Sequence, residues 1–83
     1  MNRVDKFGRR LTQVNVNWDT YWVPEYKVGD LVAIRPTRWL KHDGVGTIRE
    51  ISTRSEFSID FVDPEMTGWY QDYEIELVSP VDN

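Results

Sequence analysis

Short segments in which apolar and polar residues alternate, each followed by a turn signal, run through most of this sequence. The clearest is EFSIDFV, residues 56 to 62, where Phe57, Ile59 and Phe61 share one face and polar residues take the other. A period of two is typical of a strand that buries one face. Because no amphipathic helix interrupts the series, the pattern favours a small all-β barrel or sandwich.

Four further segments are predicted to be strands of the same domain. In chain order they are VGDLVAIR, VGTIREI, GWYQ and IELV, and EFSIDFV lies between the second and the third. The segment DPEMTG is a turn that begins with Asp-Pro and is closed by Gly68, and QDYE predicts a single helical turn before the last strand. We therefore expect a five-stranded barrel over residues 26 to 79, followed by a tail of residues 80 to 83.

Three glycines stand where two of these strands begin, at Gly29, Gly44 and Gly46. Strands of a small barrel must bend sharply to close, and glycine allows a positive φ, a bulge or a close backbone approach. We therefore expect these glycines to be corner residues. A phosphate-binding loop would need a helix N-terminus after the glycines, and here a strand follows.

Residues 1 to 25 precede the predicted barrel. Residues 1 to 10 are charged and have little apolar pattern, so we expect partial disorder there. LTQVNVNW alternates as a strand or an extended arm would, and Pro24 excludes a central strand position near the end of this region. The segment NWDTYW either caps the barrel or orders on a partner. The region is therefore predicted to be an arm or extra strand, partly disordered or packing on the barrel.

The composition limits the chemistry of this chain. Its 83 residues make one domain, and the absence of cysteine excludes disulfides and thiolate zinc sites. No apolar run approaches the roughly 20 residues that cross a bilayer, and the N-terminus does not resemble a secretory signal. The sequence therefore predicts a soluble, cytoplasmic protein with no membrane partner.

Candidates for catalysis are few. His42 is the only histidine and stands beside Asp43, but a metal site needs three or four converging ligands. Asp60, Asp63 and Glu65 would supply paired carboxylates for acid–base work. However, Asp60 should point out of its strand, and Asp63 precedes a proline, which is typical of a turn. We therefore expect no catalytic residues, no metal, no cofactor and no enzyme activity.

Aromatic residues are better candidates for function. The chain has four Trp and four Tyr, more than a thin core is expected to bury. Because Trp69 and Tyr70 are consecutive on a strand, one should be buried and the other exposed. An exposed aromatic surface would hold a peptide, bind a cation or stack nucleic-acid bases. The predicted partner-binding residues are Trp39, Trp69, Tyr70, Tyr73, Arg38 and Asp72.

Charge is unevenly distributed along a chain whose formal net charge is −4. Basic residues, including Arg9 and Arg10, occupy the start and the middle, and the last third is strongly acidic. This asymmetry either keeps the protein soluble or orients a partner. Nucleic-acid binding is the alternative function, because phosphates are held by clustered basic residues. The predicted nucleic-acid-binding residues are Arg35, Arg38, Lys41, Arg49 and Arg54.

The segments VGDLVAI, DGVGTIREI, FSIDF and WYQDYEIELV follow one another in an order that resembles the SH3-like barrel. The nearest resemblance is to its KOW-type and mind-bomb-type members, over about residues 26 to 78. The sequence lacks the opening Ala-Leu-Tyr-Asp-Tyr of signalling SH3 domains and the strongly basic loops of ribosomal KOW domains. The resemblance implies a non-catalytic protein-interaction module, such as an adaptor, accessory subunit or small regulator. The alternative it implies is a KOW-like nucleic-acid-binding module in transcription or translation.

Overall fold

The structure is a computed structural model, and it describes residues 3 to 36, 44 to 52 and 55 to 81. Within these residues every regular element is a strand, apart from one 3-10 helix of three residues. The prediction of an all-β fold is therefore confirmed. The strands form two antiparallel sheets, one of three strands and one of five. No helix in this part of the chain is long and apolar enough to cross a membrane.

The first sheet contains β1 (Arg3–Val4), β2 (Arg10–Val16) and β3 (Asp19–Pro24), in that order. Strands β2 and β3 form a hairpin in which Val16 pairs with Asp19. The tight turn between them places Asn17 at φ 56°, a conformation that asparagine tolerates better than most residues. The alternation in LTQVNVNW predicted a strand at β2, whereas the return strand β3 was not predicted.

The second sheet has the strand order β7-β6-β5-β4-β8. Its elements are β4 (Leu31–Ile34), β5 (Val45–Ile51), β6 (Glu56–Phe61), β7 (Gly68–Gln71), the 3-10 helix (Asp72–Glu74) and β8 (Ile75–Ser79). These are the five predicted strands, and the helical turn predicted for QDYE lies between β7 and β8 as expected. The last strand in the chain therefore pairs with the first strand of this sheet.

The five-stranded sheet must curve, because its two edge strands are consecutive in the chain. In a flat sheet, four steps between neighbouring strands would separate β7 from β8 by about 19 Å. The 3-10 turn that joins Gln71 to Ile75 spans only about 8 Å at its rise of about 2 Å per residue. Strands β7 and β8 do not pair within the described residues. The sheet is thus curved and open, and the predicted closed barrel of five strands is not confirmed.

Two glycines lie so close to neighbouring side chains that a residue with a Cβ would not fit without a shift. Gly29 has φ +96°, and a Cβ added there would lie 2.7 Å from Cγ2 of Val81. A Cβ on Gly46 would lie 2.6 Å from Cγ2 of Ile59 and 2.8 Å from Cδ1 of Phe61. Distances this short are not compatible with normal packing. Gly29 thus has a positive φ and Gly46 a close approach, two of the properties for which glycine was expected, whereas the assignment of Gly29, Gly44 and Gly46 as corner residues of a barrel stays a prediction.

The hydrophobic core lies on one face of the curved sheet. Its buried members are Tyr26, Val32, Ile34, Ile48, Phe57, Ile59, Phe61 and Ile75. The inward positions of β6 are those that the period of two predicted. Tyr26 packs edge-on against Phe57, with ring centroids 5.1 Å apart, and its hydroxyl donates a 3.0 Å hydrogen bond to the Ile75 carbonyl. A buried phenol is tolerated here because its polar end has a partner.

A buried ion pair joins the first sheet to the second. Asp30 is fully buried, Arg9 is 7% exposed, and both terminal nitrogens of the guanidinium donate to the carboxylate. Asp30 also accepts hydrogen bonds from the amides of Lys27 (2.7 Å) and Val81 (2.9 Å). The carboxylate therefore connects the turn before β2, the start of β4 and the segment after β8. Sequence alone grouped Arg9 with the surface charges of the N-terminus.

The turn between β1 and β2 holds Arg9 in place for this contact. One carboxylate oxygen of Asp5 accepts hydrogen bonds from the amides of Phe7 (2.9 Å) and Arg9 (2.8 Å). The Arg9 guanidinium in turn donates to the carbonyl of Glu25 at 3.1 Å. An aspartate that organises a turn through its own neighbouring amides is a common turn chemistry. These hydrogen bonds thus hold the guanidinium in position beside Asp30.

Candidate functional site

An aromatic groove of about 380 Å³ lies where the hairpin, the end of β4 and the 3-10 turn meet. We call it the tyrosine groove. It is lined by Tyr21, Ile34, Arg35, Pro36, Tyr70, Tyr73 and Glu74. Within the described part of the chain, three phenol rings from three separate segments thus share one open surface with one guanidinium and one carboxylate. Concave surfaces of this size with a few converging polar groups are typical of binding sites.

The three rings reach the groove by different local routes. Tyr21 lies on β3 two residues before buried Val23, so both side chains are on the same face of the strand and Tyr21 points toward the body of the domain. Tyr73 stands in the 3-10 turn, and its ring centroid is 5.7 Å from that of Tyr21 at an interplanar angle of 31°. Tyr70 packs edge-on against Phe61 at 5.7 Å, and its hydroxyl donates to the Met66 carbonyl. The walls are therefore held by packing before any ligand arrives.

Arg35 ties these segments together at the base of the groove. Its guanidinium carbon lies 5.4 Å from the Tyr21 ring centroid, and its Nε donates to the Tyr73 carbonyl at 3.1 Å. Its backbone amide donates to the Glu74 carbonyl at 2.8 Å. Among the described residues it forms no ion pair with a carboxylate. In the part of the chain that the structure describes, the direct contacts of this guanidinium are therefore a ring face and carbonyl oxygens, and Glu74 lines the same groove without an ion pair to it.

Ionisation near the groove follows from burial. Burial raises the pKa of Tyr70, and the nearby charge of Glu74 raises it further. Because the ordinary pKa of a tyrosine is already near 10, this phenol stays protonated at neutral pH and its hydroxyl donates. Burial also raises the pKa of Asp72 on the same turn, although amide hydrogen bonds partly oppose the rise.

The structure brings together only part of the predicted aromatic patch. Tyr70 and Tyr73 both line the tyrosine groove. Trp69 is 53% exposed on the opposite face of β7, which confirms that one member of the Trp69–Tyr70 pair is exposed and the other packed against the core. Asp72 lines a separate polar cavity between the two sheets. Trp39 and Arg38 lie outside the described residues.

The predicted basic set is also divided. Arg35 lines the tyrosine groove, and Arg49 is exposed on β5. Leu31 pairs with Thr47, so Arg35 and Arg49 lie in opposite directions from this pair, about six residues or roughly 20 Å apart along the strands. Arg38, Lys41 and Arg54 lie outside the described residues, as do His42 and Asp43. Arg35 and Arg49 therefore do not form one patch.

Sequence reasoning missed Tyr21 as a site residue. It assigned NWDTYW to a cap or a partner-ordered motif because the segment has little apolar continuity. The signal that was available is the alternation before Asn17 together with the Tyr and Val of the segment that follows Trp18, residue types that are common in strands. The hairpin brings Tyr21 back to the body of the domain.

Neither the described acidic residues nor comparison with known proteins indicates a further functional site. In residues 3 to 36, 44 to 52 and 55 to 81, no three His, Asp or Glu side chains come together as metal ligands would. No protein-family model, curated protein or solved structure matches this chain.

Proposed function

We propose that this protein is a non-catalytic interaction module that binds a protein partner through the tyrosine groove. The observation that carries the proposal is the convergence of Tyr21, Tyr70 and Tyr73 on one open surface. Tyrosine is enriched at protein interfaces because it offers a large apolar face and a hydrogen-bonding end at low entropic cost. The rings are held by internal contacts, so little side-chain freedom is lost on binding.

We also propose that the five-stranded sheet is an SH3-like barrel that is open on one side. Its strands are the segments on which the resemblance to KOW-type and mind-bomb-type domains rests. The pairing of β4 with β8 and the helical turn before β8 support this assignment. In this view the hairpin β2–β3 is an addition that builds one wall of the groove.

The charge of the second sheet indicates which partners the module would favour. Within residues 44 to 52 and 55 to 81 a single basic residue, Arg49, stands against eight carboxylates. These are Glu50, Glu56, Asp60, Asp63, Glu65, Asp72, Glu74 and Glu76. A surface of one sign steers partners of the opposite sign and rejects those of the same sign. The expected partner segment places an apolar or aromatic side chain in the groove and basic residues around it.

Nucleic-acid binding remains the alternative proposal, and it has less support. Arg35 already donates within the chain, Arg49 lies far from it, and the surface of the second sheet is acidic. A salt titration with single-stranded RNA and DNA separates the two proposals. Binding that weakens steeply with salt would favour nucleic acid, because released counterions return to the phosphates.

Affinity capture from the native host tests the protein-partner proposal. Tyr73→Ala removes one wall of the groove, and Trp69→Ala is the matched control because that ring is exposed on the opposite face. We expect Tyr73→Ala to lose captured proteins that Trp69→Ala retains. The affinity of a captured protein should then fall at least tenfold with Tyr73→Ala by calorimetry, as for an interface hot spot. Equal capture by both variants would exclude the groove as the binding surface.

A further inference from the structure

The tip of the β2–β3 hairpin exposes a complete indole. Trp18 is 100% exposed, whereas tryptophan side chains are strongly buried on average. It occupies a two-residue turn between paired strands, so the ladder from Leu11 to Pro24 holds it away from the body of the domain. A fully exposed tryptophan on a backbone held by strand pairing is a candidate interface anchor, because tryptophan is enriched among the residues that dominate binding energy.

One charge at the tip is complementary to one charge of the tyrosine groove, Asp19 to Arg35, although Glu74 also lines the groove. Asp19, next to Trp18, is the only charged residue between Leu11 and Tyr21. Arg35 in the groove has no carboxylate partner among the residues described. A partner that packs an indole against the tyrosine rings and places a carboxylate near Arg35 would match both features of the groove. The tip of this chain has both groups in adjacent positions.

We propose that two copies of this chain associate by inserting Trp18 of each copy into the tyrosine groove of the other, with Asp19 beside Arg35 of the second copy. This inference rests on the groove being a binding surface, as the proposed function requires, and it adds a second occupant for that surface. The dimer and the partner complex then exclude one another.

The positions of the indole and the groove suit a two-fold arrangement. Trp18, in the turn, and Tyr21, on β3, are three residues apart, about 10 Å, so each copy carries an anchor beside its own groove. A two-fold axis beside the hairpin then brings both anchors to both grooves, which is the self-complementary contact of a symmetric dimer. Insertion within one copy is prevented by the strand pairing that keeps Trp18 extended.

The expected dimer is weak and reversible. One tryptophan contributes about 150–250 Å² of buried area, so two reciprocal insertions form a contact smaller than the roughly 1,200 Å² of a stable interface. We expect a monomer–dimer equilibrium with a dissociation constant on the order of 100 μM.

Sedimentation equilibrium of the whole chain between roughly 10 μM and 1 mM measures this constant. Trp18→Ala changes a fully exposed side chain, so we expect the fold to be kept and dimerisation to be weakened at least tenfold. Tyr73→Ala should do the same, and Trp69→Ala should leave the constant unchanged. A monomer at all concentrations, or equal effects of Trp18→Ala and Trp69→Ala, would overturn the proposal.

A mixing experiment identifies the contact itself. The Trp18→Ala chain keeps an intact groove, and the Tyr73→Ala chain keeps an intact anchor. An equimolar mixture should associate more strongly than either variant alone and more weakly than the wild type, since one of two insertions is restored. A mixture no stronger than its components would contradict reciprocal insertion. If dimerisation fails while Tyr73-dependent capture of a partner persists, only this inference is lost and the proposed function stands.

Discussion

Replacing Arg9 by methionine is expected to destabilise this protein more than any change at a surface arginine. Arg9 and Asp30 are buried, and the guanidinium binds the carboxylate through two nitrogens. Methionine keeps much of the length and apolar volume of the side chain but removes the charge. The Asp30 carboxylate is then left buried without its counter-charge, which is the costly state for an ion pair in a protein interior.

The size of the loss in unfolding free energy depends on the hydrogen bonds that Asp30 retains without Arg9. Removing one partner of a buried pair costs about 3–5 kcal/mol, whereas a surface pair is worth about 0–1 kcal/mol. Because the amides of Lys27 and Val81 still donate to the carboxylate, we expect the lower end, about 3 kcal/mol. For a domain of this size that corresponds to a fall of about 12–24 °C in the midpoint of thermal unfolding.

The stability difference between the wild type and Arg9→Met changes with pH in a definite direction. Burial alone would raise the pKa of Asp30, but the bonds from Arg9 and from the Lys27 and Val81 amides outweigh it and hold the pKa below its ordinary value of 3.8. A group with a lowered folded pKa stabilises the protein above its unfolded pKa, and this contribution is lost as the pH falls through the folded pKa. In the variant, two of the causes that lower the Asp30 pKa, the hydrogen bond and the charge of Arg9, are absent, so this pKa is higher than in the wild type. The difference between the two proteins is therefore largest near pH 7 and shrinks toward pH 3.

Urea unfolding followed by circular dichroism measures the free energies of unfolding at several pH values. Arg10→Met is the matched control, because the neighbouring arginine is exposed, and its effect should stay within about 0.5 kcal/mol. Equal losses for Arg9→Met and Arg10→Met at pH 7, or a difference that grows in acid, would show that the buried pair does not join the two sheets as described.

Two further substitutions test packing in the second sheet. Gly46→Ala is expected to cost about 1–3 kcal/mol, because its Cβ would lie 2.6 Å from Cγ2 of Ile59. Gly68→Ala, where nothing lies within 4 Å, is the control in thermal melts, and equal losses would contradict the close approach at Gly46. Tyr26→Phe removes the 3.0 Å hydrogen bond to the Ile75 carbonyl and should cost about 1 kcal/mol in urea titrations. Unchanged stability would show that this hydroxyl makes no net contribution.

Local patterns were sufficient for the elements of the second sheet. The alternation in EFSIDF predicted β6 and its buried face, because backbone geometry sends successive side chains of any strand to opposite faces. The same rule predicted that Trp69 and Tyr70 would divide between the surface and the core. The turn before β8 was also recognised from its own residues. Each of these properties depends on a few consecutive residues.

The hairpin was predicted only in part. Its first strand shows a period of two, but its second strand mixes polar residues, aromatic residues and a proline, and that mixture does not specify a face. Asn17 and Trp18 form the turn only because the ladder from Val16 to Leu11 finds its register in β3. Since a turn and its two strands stabilise one another, the second strand depends on its pairing with the first more than on its own residues.

The amino-acid order established strands, turns and the faces they bury, whereas folding in three dimensions established which distant groups meet. From the sequence, Arg9 cannot be distinguished from the surface charges near it; the fold buries it against Asp30. Similarly, Tyr21 belongs to a groove only because the hairpin lies against the 3-10 turn. Side-chain alternation is a property of the local backbone. The pairing of a charge or a ring with a partner far along the chain depends on two terms. One is the entropy lost when the loop between them closes, and the other is the packing free energy that offsets this loss.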